Sequence, residues 1–593
     1  MKISALGLVS VLCAANSSLI AVPFDEILSE ETEALFIVHN LSETRDAVIE
    51  HPFYETFKDE TVLEFFSKLS GGSKKRDEDE QGFMEILNEE FGLTVDELFE
   101  LFPGQAAFAS YNISESMILK EGYPDMAIML EYAGEPEKLD ELLQVQFERN
   151  AAAQKKVNPA MEHELKQESF MGETLYLDEA FDGVETYIED GYCLVDGIFV
   201  LASPEDRLRS IVEAIKDGQD ASLSENDAYL QSLESAGKGL GFAFYLNLER
   251  IMPPLSKLFI DGVMTSGGLA TYGVTSLSLE KALSLGSLSS LYIGVGLEPD
   301  GVGASSSIIH SGKDGLLSLI SYESGTLPEA RYIPEDAVSA SVSLFDMGVM
   351  LSNLEALLNV ASPSLTPLID IQLQNMQQQT GVDFRSAILE NLGSEFVNFS
   401  LMEESTDELI IPVAQQFYLI EIKDADSLGR AIETLKDLIP GGRAYIEEQA
   451  FEGQTIFTVK TPQAPNPHID PEMRFSYVIT RSALVIGYGK IGNLQKVLTD
   501  MGDSSAEGIF QKPEVEQLLE RIAQPQAVSK SYADMSAFIE PALKSLATTG
   551  VLGNKNAALK IPEILDESFT TISETNETKD GIFSRVLLIS KDE

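Results

Sequence analysis

The sequence predicts an α+β protein made of two tandem homologous modules, each a curved, mainly antiparallel sheet with helices packed on one face. Three observations predict it. Strand-length segments alternate apolar and polar residues, as in Phe417-Tyr418-Leu419-Ile420-Glu421-Ile422-Lys423, the pattern of a strand with one buried and one wet face. Helical segments carry apolar residues at spacings of three and four, as in Leu208, Ile211, Val212 and Ile215. One order of elements also runs twice along the chain. Helices on one side of a strongly curved antiparallel sheet are the economical way to bury both patterns.

The repeat can be followed element by element. A strand at Glu33–Val38 with a helix through Val48 corresponds to a strand at Pro334–Val342 with a helix from Met347 to Leu358. A helix start at Phe91-Gly92-Leu93-Thr94 and a strand at Phe102–Phe108 correspond to Thr380-Gly381-Val382-Asp383 and Asn391–Val397. Asp125–Tyr132 followed by Glu137–Phe147 corresponds to Gln416–Ile422 followed by Asp426–Leu435. The sharpest pair is Phe170-Met171-Gly172-Glu173-Thr174-Leu175-Tyr176 and Phe451-Glu452-Gly453-Gln454-Thr455-Ile456-Phe457, both Phe-x-Gly-x-Thr-apolar-aromatic. Strand and helix at Tyr192–Ile215 then match Tyr477–Leu498, and short helices follow at Ala228–Leu233 and Val515–Ile522. Strands at Gly241–Leu246 and Val528–Tyr532 lead to closing hairpins whose turns, Glu298-Pro299-Asp300-Gly301 and Lys579-Asp580-Gly581, carry the favoured Asp-Gly. The resulting division is a signal peptide at 1–21, a first module at 22–310, a linker at 311–332 and a second module at 333–593. The first module includes a polar loop at 70–82 and a Gly/Ser/Leu-rich insertion at 261–289.

Composition sets limits on function. The chain has 593 residues and a net charge of −55, from 41 Lys+Arg against 96 Asp+Glu. At roughly 100–200 residues per domain that length makes two to four domains. Hydrophobic residues at 44% exclude whole-chain disorder. The negative field excludes nucleic acid as a main partner, and two cysteines cannot make a disulfide scaffold.

The N-terminus reads as a secretory signal: Met1, Lys2, an apolar run from Ile3 to Ala15, then Asn16-Ser17-Ser18-Leu19-Ile20-Ala21. Cleavage is expected after Ala15 or Ala21, with Ala21 favoured. Leu12 before Cys13 is too large for a lipobox. Removing 1–21 takes away Lys2 and no acid, so the charge of −55 becomes −56, and Cys193 is left as a lone, buried structural thiol. No later stretch reaches the roughly 18 uninterrupted apolar residues of a membrane span. The expected location is therefore periplasmic or extracellular.

The block Gly197-Ile198-Phe199-Val200-Leu201-Ala202-Ser203-Pro204-Glu205-Asp206-Arg207-Leu208, with Ala221-Ser222-Leu223-Ser224 and Tyr229-Leu230, resembles the recurring block of the bacterial DUF3352 family. So do Tyr332-Ile333-Pro334-Glu335-Asp336-Ala337 and Gly381-Val382-Asp383. The resemblance spans most of the mature chain and implies an exported or envelope protein of the planctomycete and verrucomicrobium type. The family has no established function, so it supplies no catalytic residue.

Several motifs imitate catalytic or binding sites. Gly487-Tyr488-Gly489-Lys490-Ile491-Gly492 follows a strand and opens a helix, as a dinucleotide fingerprint does. Its twin, Ala202-Ser203-Pro204-Glu205-Asp206-Arg207, lacks all three glycines, and no second parallel strand with a ribose-binding acid follows. The glycines are read as shaping a tight turn. Ser235-Ala236-Gly237-Lys238 and Ser224-Glu225-Asn226 stand in the wrong order for a penicillin-recognising serine enzyme and lack its Lys-Thr-Gly strand. Asp77-Glu78-Asp79-Glu80-Gln81-Gly82 begins like a calcium loop but has Asn88 where a bidentate Glu is needed. His39, His51, His163, His310 and His468 are never at ligand spacing. No catalytic, cofactor-binding or metal residue is therefore assigned, and no cofactor is expected.

The leading expectation is an exported, non-catalytic binding or scaffold protein of the cell envelope, its partner an envelope protein or an apolar ligand. The alternative is a periplasmic hydrolase with a dispersed active site, and a third reading is a salt-adapted structural component of the envelope. An enzyme should show a deep polar cleft in one half or between halves, with a perturbed titratable pair. A binding protein should show an apolar groove or an exposed sticky edge strand.

Overall fold

A computed structural model describes residues 22–51, 54, 94–113, 115–116, 124–181, 183–236, 241–265, 268–364, 366–402, 414–439, 442–460, 470, 472–503, 505–537 and 569–590. The signal segment 1–21, the polar loop 70–82 with its calcium-like run, Asn88 and His468 lie outside the described residues. The chain divides into two compact units, Met1–Leu255 with Leu288–Ile309 and Ser256–Ser287 with His310–Glu593. Residues 256–287 thus group with the second unit.

The first unit holds β1 (Ala34–Val38), β2 (Ala106–Tyr111), β3 (Asp125–Glu131), β4 (Glu162–Phe170), β5 (Glu173–Phe181), β6 (Thr186–Val195), β7 (Ile198–Ser203), β8 (Phe242–Asn247), β9 (Leu288–Glu298) and β10 (Gly301–His310). Their pairing runs 10-9-8-1-2-3-7-6-5-4. The second unit holds β11 (Ser339–Leu344), β12 (Leu392–Leu401), β13 (Gln415–Ile422), β14 (Ile446–Phe451), β15 (Gln454–Val459), β16 (Arg474–Ile479), β17 (Ala483–Gly489), β18 (Ala527–Asp534), β19 (Phe569–Glu577) and β20 (Gly581–Ser590). Their pairing runs 20-19-18-11-12-13-17-16-15-14. Adding ten to each strand number of the first order reproduces the second, and every pair with a stated register is antiparallel.

The expected two separate curved sheets are corrected: all twenty described strands belong to one hydrogen-bonded sheet. Apolar–polar alternation reports which face of a strand is buried. It carries no information on whether an edge strand's N–H and C=O groups find another strand, and open edges are costly to leave exposed. The expectation of helices on one face is corrected as well. In the first unit Leu35, Ile37, Ala127 and Met129 pack with Leu208, Ile211 and Val212 of the helix Glu205–Asp217. Their strand neighbours Val38 and Leu130 pack on the opposite face with Leu41, Leu101 and Leu139, from the helices Leu41–Glu50, Val95–Leu101 and Pro136–Val157. The second unit repeats this. Phe399, Phe417 and Val485 meet Leu494 and Val497 on one face, while Leu392 and Ile422 meet Leu428 on the other. Half-buried apolar residues such as Phe36, Ile128 and Ile420 lie on the strand faces that alternation marks as wet, and helices cover them.

Three local devices recur. The hairpins β4–β5 and β14–β15 turn on two residues of positive φ, Met171-Gly172 (54° and 89°) and Glu452-Gly453 (48° and 78°). Two such residues twist the turn to match its strands. Cross-strand aromatics stack at the same place in each unit, Tyr176 on Tyr192 at 4.8 Å and Phe457 on Tyr477 at 4.9 Å. A carboxylate, buried at Glu131 and half-buried at Glu421, also closes the start of the second strand of each unit. Glu131 Oε2 accepts the Gln105 N–H at 2.6 Å, and Glu421 Oε2 accepts the Ser394 and Glu395 N–H groups at 3.0 and 3.2 Å.

Candidate functional site

A cavity of about 290 Å³ opens in the first unit, at the end of β2 and beside the helix Glu205–Asp217. Buried Ile27 and Ile211 line it from within, and exposed Glu30, Glu31 and Ser210 line its mouth. The wall between them is pinned by backbone. Phe24 N–H donates to Gln105 Oε1 at 3.1 Å, Glu30 N–H to the Ala221 carbonyl at 2.9 Å, and Leu223 N–H to the Leu28 carbonyl at 2.7 Å. The loop Ser29–Thr32 therefore has a defined course against the segment Gln219–Ser222.

Arg207 and Tyr111 form the polar wall. The guanidinium carbon of Arg207 lies 3.8 Å from the centroid of the Tyr111 ring, a cation–π stack that leaves the guanidinium edge free. One Nη approaches Asp125 Oδ2 at 3.7 Å, beyond hydrogen-bond range, and Nε is buried with no acceptor. Asp125 is already occupied in part, accepting from Asn112 Nδ2 at 3.1 Å. Burial pushes the Tyr111 hydroxyl above its ordinary range, only partly offset by Thr32 and Arg207. The Arg207 side chain is 15% exposed, so its unfilled donors are largely removed from water. An oxyanion from outside would complete them, because guanidinium donors match carboxylate and phosphate edges.

The second unit shows that the fold does not need this arrangement. Tyr111 pairs with Asp125 where Leu401 pairs with Gln415, and Met126 pairs with Ser203 where Gln416 pairs with Tyr488. Counting on from Ser203 and Tyr488, Arg207 takes the place held by Gly492. Tyr111 and Arg207 of the cavity, and Asp125 beside Arg207, thus become Leu, Gly and Gln on the same strand framework. Sequence reading passed over these three residues because they lie far apart in the chain and meet only through the β2–β3–β7 pairing. Setting the two halves side by side at Arg207 and Gly492 is the signal that points to them.

The other sequence candidates have structural roles. In the glycine-rich run, Gln415 Oε1 accepts the Lys490 N–H at 2.8 Å and Asn493 Nδ2 at 3.0 Å, so the amide a pyrophosphate would use is taken. A side chain on Gly489 would meet Gln415 at 2.5 Å, and one on Gly487 would meet the Phe417 ring at 3.0 Å. Asn226 of the Ser-x-Asn run accepts the Tyr229 N–H at 3.0 Å. Gly237 and Lys238 lie outside the described residues. His51 Nε2 lies 2.8 Å from the Gly301 carbonyl, and buried His163 bridges Asp178 and Gln154 at 2.8 and 3.0 Å. Burial pushes His39 down, against Asp25. Among the described residues no group of three or more His, Cys, Asp or Glu is placed to hold a metal. Cys193 is fully buried, and burial pushes its thiol up to about 12. Among the described residues no helix is long and apolar enough to cross a membrane.

Cavity and fold together define an antiparallel α+β protein of two like-ordered units, the first with a small polar cavity. No family model matches the chain, and no curated protein matches it. Among solved structures it is similar to TP0453 in crystal form III, at 6% identity and a TM-score of 0.23, covering 50% of this chain and 81% of that one. Crystal form I of TP0453 is similar at 8% identity and a TM-score of 0.21, covering 49% and 80%. Likeness at this level carries no argument about function.

Proposed function

We propose that this chain is an exported, non-catalytic binding protein of the bacterial cell envelope, akin to the DUF3352 proteins, and that its first unit holds a small polar ligand. The reading takes the two like-ordered units as a tandem duplication in which one copy acquired the cavity. The observation that carries it is Arg207, which lines the cavity stacked on Tyr111, with its nearest carboxylate, Asp125, 3.7 Å away.

A cavity that is polar and belongs to one unit also meets half of what a hydrolase requires. The other half is a nucleophile held by a base, and the lining residues include no His or Cys. Native mass spectrometry of the mature protein, gently purified from its envelope fraction, tests the reading. A small molecule retained by the native protein and absent from Arg207→Ala is expected. An empty native protein, joined to a hydrolytic activity that Arg207→Ala abolishes, would transfer the cavity to the hydrolase reading.

A further inference from the structure

We infer that the cavity takes a zwitterion of the free amino acid or dipeptide class, with its carboxylate on Arg207 and its ammonium group at Glu30 and Glu31. The inference rests on the binding reading above and names the ligand. Its first basis is the shape of the positive end. The guanidinium is held flat by Tyr111, lines the cavity and has its nearest carboxylate, Asp125, at 3.7 Å, so its Nη edge suits a planar carboxylate. The second is charge. The lining has one cation, Arg207, against Glu30 and Glu31, with Asp125 3.7 Å behind the guanidinium.

A dianionic phosphate entering that site would meet Glu30, Glu31 and Asp125 against Arg207 and, 4.0 Å from Glu31, Arg250. A lone cation would have to sit beside a desolvated guanidinium. A ligand with one charge of each sign matches both ends and adds no net charge. The third basis is size. About 290 Å³, walled in part by Ile27, Ile211 and Ala221, accommodates a dipeptide with small apolar side chains.

Isothermal titration of the full mature protein with L-alanyl-L-alanine, its N-acetyl form, its C-terminal amide and inorganic phosphate tests the assignment. The free dipeptide should bind best. The amide should bind about 10–100-fold more weakly, the effect of one charge-assisted pair at a buried guanidinium. The N-acetyl form should bind about 3–5-fold more weakly, as expected for a solvent-exposed ion pair. Arg207→Gln should remove binding. Glu30→Gln/Glu31→Gln should erase the difference between free and acetylated dipeptide while leaving the amide weak. Both glutamates are exposed, so this second variant keeps the test valid even if Arg207→Gln unfolds.

Tighter binding of phosphate or of the acetylated dipeptide, abolished by Arg207→Gln, would overturn the zwitterion and leave the binding reading standing. Binding of no probe, together with an empty native protein from the envelope, would overturn both. Binding unchanged in Arg207→Gln would remove the cavity from either role.

Discussion

Replacing Gly104 by Ala tests whether the buried carboxylate of Glu131 holds the start of β2 in place. A methyl group there would sit 1.3 Å from Glu131 Oε2 and 2.8 Å from its Cβ, so the side chain cannot stay where it is. Moving it breaks the 2.6 Å bond from the Gln105 N–H and leaves that donor without its charged acceptor. A hydrogen bond to a charged group contributes about 1.5–3 kcal/mol, and relieving the Cβ overlap costs a further ~1–3 kcal/mol of overpacking. The expected loss is about 2.5–6 kcal/mol, confined to the first unit. Urea unfolding followed by circular dichroism measures it, since the chain has no Trp to report by fluorescence. The Glu131→Ala background supplies the control: with the carboxylate absent but the Cβ kept, adding Gly104→Ala should cost only the ~1–3 kcal/mol of the Cβ overlap. An equal loss in both backgrounds, or a single-variant loss under 1 kcal/mol, would refute the reasoning. Gly393→Ala, whose methyl would lie 2.3 Å from Glu421 Oε2, should reproduce the effect in the second unit.

Other outcomes follow from the same structure. Burial raises the Glu131 pKa against the opposing Gln105 bond, so the native state holds that proton more tightly than the unfolded chain. Its stabilising contribution is complete below the ordinary carboxylate range and is lost as pH rises through the raised value. Glu131→Gln should therefore gain stability relative to the native protein at pH 7 and lose that advantage near pH 4, as urea midpoints would show; a difference independent of pH would contradict it. Gln415→Ala removes the acceptor of two donors at the helix Ile491–Met501 and should cost about 1–2 kcal/mol in thermal unfolding, whereas an unchanged midpoint would mean water replaces the cap. Cys193, fully buried and with its thiol pushed up to about 12, should resist an aromatic disulfide reagent until the first unit opens. Labelling of the native protein at the rate of a free thiol would refute that.

How much of this was legible in the sequence differs between fold and site. The Phe-x-Gly-x-Thr pair was legible as a repeat, and the structure gives its reason: each is a hairpin turn with two consecutive residues of positive φ, the second a glycine. Gly487 and Gly489 read as shaping a tight turn, whereas both lie in a strand and leave room for Phe417 and Gln415, whose approach is not legible in the segment itself. The cavity was not legible. Its polar wall draws on positions 111 and 207, with Asp125 beside Arg207, and their adjacency exists only once β2, β3 and β7 are paired.

What the sequence by itself determined is local: helix and strand periods, turn chemistry, the order of elements in each half, the acidic charge. Those depend on interactions between residues near in the chain, which leave a periodic trace. Tertiary structure alone decided that helices cover both faces of the strands, that twenty strands share one sheet, and that Arg207 stacks on Tyr111 with a donor unfilled. Each of these depends on which distant backbone edges and side chains meet, and the burial pattern of a single segment is the same whichever partner provides the burial.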